Sequence, residues 1–129
     1  MNILIIGGGG REHSVARSIS ISKNCNKIYI LPGNAGTAEV GENIEGDVND
    51  FNLIKKTVLS NQISVVFVGP EDPIVNGIYD FFKKEQSLKD ILIVAPGKRA
   101  AKLEGSKDFA KLFMKKNNIP TAKYSTFSK

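Results

Sequence analysis

Four short aliphatic runs, at residues 2–6, 27–31, 63–68 and 91–94, punctuate the chain, and between them apolar residues recur at helical spacing. Runs this short and this uniformly apolar read as strands buried on both faces, which is the condition of parallel strands covered by helices. The first intervening helix is expected over Arg11–Ser18, with Val15, Ile19 and Ile21 laid on the sheet. A second is expected over Asp47–Leu59, capped by Asn49 or Asp50 and turning Ile54 and Val58 inward. A third spans Ile74–Glu85, with Asp72 as its cap and Pro73 in its first turn, where a missing N–H costs nothing. Strand and helix alternate throughout. The pattern predicts an α/β fold with a doubly wound, mainly parallel, Rossmann-like sheet.

After Pro96 the pattern changes. Two basic helical stretches follow, Lys98–Leu103 and Ser106–Lys116, split at Gly105 and stopped by Asn117, Asn118 and Pro120. Phe109, Ala110, Phe113 and Met114 give the second an apolar face that needs a cover, so residues 1–100 read as one domain and 101–129 as the opening of another.

The chemistry concentrates where strands end. Gly7–Gly10 follow the first strand and open the first helix, so a turn without side chains meets a helix N-terminus whose free N–H groups attract anions. A phosphate suits that spot. A nicotinamide or flavin does not, because the sixth place of a G-x-G-x-x-G pattern is Glu12 counted from Gly7 and His13 counted from Gly8. No Gly-Lys-Ser/Thr closes the loop as in a P-loop. Pro32–Glu39 leaves the second strand on the same edge, with Thr37 as a candidate helix cap. Gly69–Pro73 leaves the third strand there too. In that turn Asp72 has the cap to explain it, and Glu71 is the better candidate for touching a ligand.

Composition narrows the class. A hydrophobic share of 41% with 24% charged residues is that of a soluble globular protein. No apolar run approaches the ~20 residues of a membrane span, and no basic flank precedes Ile3, so no signal peptide or membrane partner is expected. The single cysteine, Cys25, reads as a small residue in a turn and fits a reducing, cytoplasmic setting. Residues 1–97 hold 9 Lys/Arg against 11 Asp/Glu, whereas residues 98–129 hold 9 against 2. A basic tail suits a polyphosphate such as ATP, or nucleic acid. Against nucleic acid, two of the tail's four aromatics, Phe109 and Phe113, sit on the apolar helix face rather than on a stacking platform.

The segments GGGGREHS at 7–14, PGNAGT at 32–37, VGPEDPIVNG at 68–77, AAKLEGSKDFAKLFM at 100–114 and IPTAKY at 119–124 occur in order along the whole chain. Together they closely resemble the phosphoribosylamine–glycine ligase (glycinamide ribonucleotide synthetase) family of purine biosynthesis. The resemblance implies an N-terminal pre-ATP-grasp substrate domain followed by the start of an ATP-grasp domain. It further implies an ADP-forming ligation in which ATP, with Mg²⁺ or Mn²⁺, activates glycine for attack by 5-phosphoribosylamine. On that reading Gly8, Gly9, Gly10 and Arg11 hold the sugar phosphate, Asn34, Gly36, Thr37 and Glu71 line the ribose, and Lys107, beside a Ser106 cap, reaches the nucleotide. Glu12 and His13 also match the family's pattern, and orienting the glycine loop is the job expected of His13. Ser14 and Asp72 depart from it, since the family commonly has alanine at both places. No catalytic or metal-ligating residue is expected in this stretch, so the chain should be inactive without the rest of the same enzyme. The remaining readings are another ATP-grasp ligase or carboxylase and a basic nucleic-acid module.

Overall fold

A computed structural model describes residues 1–125 and 127. β1 (Asn2–Gly7), β2 (Lys27–Pro32), β3 (Glu42–Asn43), β4 (Ile63–Val68) and β5 (Leu92–Val94) form one sheet in the order β3-β2-β1-β4-β5, every neighbouring pair parallel. The chain moves outward from β1 to β2 and β3, then returns across β1 to β4. That reversal makes the carboxyl ends of β1 and β4 the switch point where open α/β sheets bind ligands.

Side chains of β1 alternate between two layers. Ile3 and Ile5 join Ile28, Ile30 and Ala16 on the face covered by α1 (Gly10–Ser20), with Val15 and Ile19 packed against them. Leu4 and Ile6 join the larger layer, made with α2 (Phe51–Ser60), α3 (Glu71–Asn76), α4 (Ile78–Lys84) and α5 (Lys98–Gly105). Phe82, Ile54 and Ile78 are fully buried there, and Ala101 carries α5 into the same cluster. α5 is further tied down where Asp80 Oδ2 accepts from the Lys98 N–H at 2.7 Å. α6 (Lys107–Lys116) closes the described elements and buries none of its residues.

Several expectations need correction. Ile21 does not lie on the sheet: it is 85% exposed, because α1 ends at Ser20 and the backbone turns away. The expected helix 74–85 is two helices, since Gly77 adopts φ +95°, a left-handed conformation that ends α3 and begins α4. Asp72 is not the cap. α3 already begins at Glu71, after an extended Pro70, which puts Asp72 inside the first turn, where its charge favours the helix dipole. Of the two candidates for α2, Asp50 is the cap, its carboxylate accepting from the N–H groups of Asn52 and Leu53, and the helix starts at Phe51 rather than Asp47. β3 carries no hydrophobic run and was not foreseen.

Candidate functional site at the carboxyl edge of the sheet

At this edge Gly7 ends β1 opposite Pro32 of β2, and its carbonyl accepts from Gly33 N–H at 3.2 Å. The glycine loop then folds around a side chain rather than around empty space. Glu12, only 6% exposed in its side chain, accepts from Gly9 N–H at 2.8 Å through Oε2 and from Arg11 Nε at 3.0 Å through Oε1. Arg11 Nη2 donates to the Gly69 carbonyl, at the end of β4. A methyl group on Gly7 would stand 2.7 Å from Glu12 Cγ, and one on Gly9 2.8 Å from Oε2. A methyl group on Gly69 would overlap Oε1. These three glycines, from two segments, make room for one carboxylate.

Gly8 meets a different neighbour, the Gly33 carbonyl, 2.6 Å from where its Cβ would be. Only Gly10 of the four has open space there, with nothing within 4 Å. Only at Gly10, then, does the missing side chain leave open space beside the loop. Gly7, Gly8 and Gly9 are small because protein atoms abut them, and one amide of the loop is already satisfied by the chain's own carboxylate. Gly8, Gly9, Gly10 and Arg11 nonetheless remain exposed, Arg11 at 66% of its side chain.

The second loop is clamped to the first. Asn34 Nδ2 donates to Gly8 O at 2.9 Å, and its Oδ1 accepts from Thr37 N–H at 3.0 Å. Thr37, fully buried, accepts from Asn34 N–H at 2.7 Å and brings its hydroxyl to Asn43 Oδ1 at 2.7 Å. Asn43 Nδ2 closes the circuit on Asn34 O at 2.7 Å. Thr37 is thus not a helix cap. Gly36 precedes a short 3-10 turn, Thr37–Glu39, and the threonine hydroxyl faces inward to hold the loop. The His13 ring lies over Gly36, 2.5 Å from where a Cβ would sit, and so braces this loop from α1.

Gly8–Arg11, Asn34, Gly36 and Thr37 therefore stand together. Glu71 follows Gly69 by two residues and is exposed at the head of α3, with Oε1 3.7 Å from where a Gly105 Cβ would be; no hydrogen bond joins it to either loop among the described residues. Lys107 is exposed at the head of α6, where Ser106 Oγ accepts from Phe109 N–H as its cap, and no hydrogen bond joins it to the glycine loop among the described residues. Sequence reasoning missed Glu12 and Asn43 as the residues that set the loops. For Glu12 the available signal was a glutamate three residues after a helix cap, the capping-box spacing. Asn43 gave no signal. Among the described residues no group of three or more His, Cys, Asp or Glu side chains is placed to hold a metal ion. No helix there is long and apolar enough to cross a membrane.

Residues 1–104 match the family model described as phosphoribosylglycinamide synthetase, N domain. The chain belongs to this family. Its curated relatives include the phosphoribosylamine–glycine ligases of Caldanaerobacter subterraneus, 41% identical over 129 residues, and Haemophilus influenzae, 45% identical over 130. A bifunctional purine biosynthetic protein of Schizosaccharomyces pombe is 43% identical over 130 residues, which are 97% of this chain and 16% of that protein. The match takes in 100% and 99% of this chain but only 30% and 29% of the two bacterial ligases, so the chain spans less than a third of their length. The solved phosphoribosylamine–glycine ligase of Thermotoga maritima superposes with a TM-score of 0.63 at 29% identity, covering 95% of this chain and 26% of that one. The leucoanthocyanidin reductase–NADPH complex of Vitis vinifera, at 15% identity and a TM-score of 0.57 over 92% of this chain and 47% of its own, shares the fold alone.

Proposed function

We propose that this chain is the N-terminal, amine-binding part of an ATP-dependent phosphoribosylamine–glycine ligase of purine biosynthesis, working in the cytoplasm. One observation carries the reading: a family-matched glycine loop meets a helix N-terminus at the switch point of a parallel sheet, exposed at Gly10 and Arg11. In the proposed reaction a phosphoryl group passes from ATP to the glycine carboxylate. The amine of 5-phosphoribosylamine then attacks the acyl phosphate, forming the amide and releasing phosphate, with ADP as the other product.

This chain's part is to hold and orient the amine. The exposed amides of Gly10 and Arg11, at the positive end of the α1 dipole, take the sugar phosphate. Arg11 uses two of its five N–H donors on Glu12 and Gly69 and has three left for the same anion. Gly8, Gly9, Asn34 and Gly36 form the wall beside it, Thr37 holds that wall from within, and Glu71 is proposed to reach the ribose. Positioning of this kind raises the rate by fixing the nucleophile's approach. The Mg²⁺ or Mn²⁺ that the family implies would be held mainly by the remainder of the enzyme, since no group of three or more His, Cys, Asp or Glu side chains among the described residues is placed to hold it. Lys107 is proposed to reach the nucleotide phosphates once the remainder of the enzyme binds ATP. The domain opening expected at residue 101 belongs to the same proposal: α6, with no buried residue, is its first clear element, while Ala101 keeps α5 in the first core.

The test is a chimera in which this chain replaces the matching residues of the Haemophilus influenzae ligase. ATP- and glycine-dependent consumption of phosphoribosylamine is the expected result. A folded chimera that binds ATP and glycine but never consumes the amine would overturn the reading.

A further inference from the structure

Glu12 is a buried acid that the proposed chemistry does not use, and its contacts reach farther than a helix cap requires. A capping-box glutamate closes one turn on itself. Here the carboxylate also carries Arg11, and Arg11 crosses 58 residues of sequence to the Gly69 carbonyl. Gly69 is in turn held to β1, its N–H donating to Ile6 O at 3.0 Å. Gly7, Gly9 and Gly69 all lack side chains where Glu12 lies. The result is a strut between the glycine loop on β1 and the turn on β4 that leads to Glu71.

We infer that Glu12, acting through Arg11, is a positioning residue that sets the gap between the glycine loop and the Gly69–Glu71 turn, and so the fit of a phosphorylated sugar between them. The sugar-phosphate part rests on the function proposed above; the strut itself does not. Its charge is essential to it. Both carboxylate oxygens accept from donors, so a glutamine of the same size would turn its NH₂ against either Gly9 N–H or Arg11 Nε.

The experiment uses the 129-residue chain, ¹⁵N-labelled, as wild type, Glu12→Gln and Arg11→Met, with ribose 5-phosphate as the probe. In wild type, the sugar phosphate should shift the amides of Gly10 and Arg11. Glu12→Gln should move the Gly9 amide proton upfield, speed hydrogen exchange at Gly69 about tenfold, and weaken ribose 5-phosphate binding about tenfold, as loss of one hydrogen bond to a charged group implies. Exchange in the core at Leu4 and Val66 should stay as it was, which a general loss of stability would not allow. Arg11→Met, at an exposed side chain, should speed exchange at Gly69 while leaving the Gly9 proton in place, and this exchange readout decides whether the strut exists if Glu12→Gln does not fold; its ligand affinity does not enter, because Arg11 itself holds the phosphate. Unchanged exchange at Gly69 in the folded variants overturns the strut. Changed exchange with unchanged ribose 5-phosphate affinity overturns its link to the ligand. No binding by wild type defeats the proposed function, while the exchange measurements still decide whether the strut exists.

Discussion

Two regions of this molecule start from the same local ingredients, a glycine-containing turn leading into a short helix, and end in opposite states. At Gly7–Gly10 the turn is held by Glu12, Arg11 and Asn34, and the helix it opens lies on the sheet through Ala16. At Gly105–Lys107 the helix is capped just as properly by Ser106, yet α6 leaves Phe109, Leu112 and Phe113 at 40%, 61% and 40% exposure. Capping and an apolar stripe make a helix possible; only a partner surface makes its residues count toward stability. The first region has that partner within the chain.

The sharpest break in this comparison should come from phenylalanine truncations. Phe82→Ala, in the fully buried layer, should cost about 4 kcal/mol by urea denaturation, whereas Phe113→Ala should cost less than about 1 kcal/mol. Equal losses would mean that α6 belongs to the same core. Next in size is a pair of glycine substitutions within the first region. Gly69→Ala should destabilise by roughly 2–3 kcal/mol, because the buried Glu12 must move. Gly10→Ala, with open space at its Cβ, should be neutral or stabilise by up to about 1 kcal/mol. If both alanines cost the same, the glycines are not there for Glu12.

The smallest effect concerns the sheet's edge. Lys27 Nζ lies 2.7 Å from Glu42 Oε2 between β2 and β3, and this hydrogen bond, helped by Tyr29, raises the lysine above its ordinary 10.5. A raised lysine contributes stability that is fully present below its unfolded value and is lost only as the pH climbs through the folded one, so the effect is confined to strongly alkaline solution. Glu42→Gln should return the Lys27 titration, followed by ¹³C NMR at Cε, toward 10.5, and leave stability at neutral pH nearly untouched, since both groups are half exposed.

Most of the architecture was legible because buried parallel strands announce themselves: β1, β2 and β4 are near-continuous aliphatic runs, and the reversal of strand order follows from the crossovers. β3 was not, because a two-residue strand of Glu42 and Asn43 owes its pairing to β2 rather than to any pattern of its own. The break at Gly77 was hidden in an otherwise helical spacing. At the site, the loops and their common edge were readable from turn residues. What fills the space beside the glycines was not, since Gly69 lies 57 residues from Glu12 and nothing local in sequence relates them. The resemblance implies that Asn34 and Thr37 line the ribose, whereas the structure engages their polar atoms with Gly8, Asn43 and each other.

The bond from Asn34 to Gly8 has a kinetic side. Two loops joined at their tips move as one body, so an arriving small molecule need not freeze either of them. Capture at this edge should then proceed as a single fast phase close to the encounter rate, with no slow closing step after it.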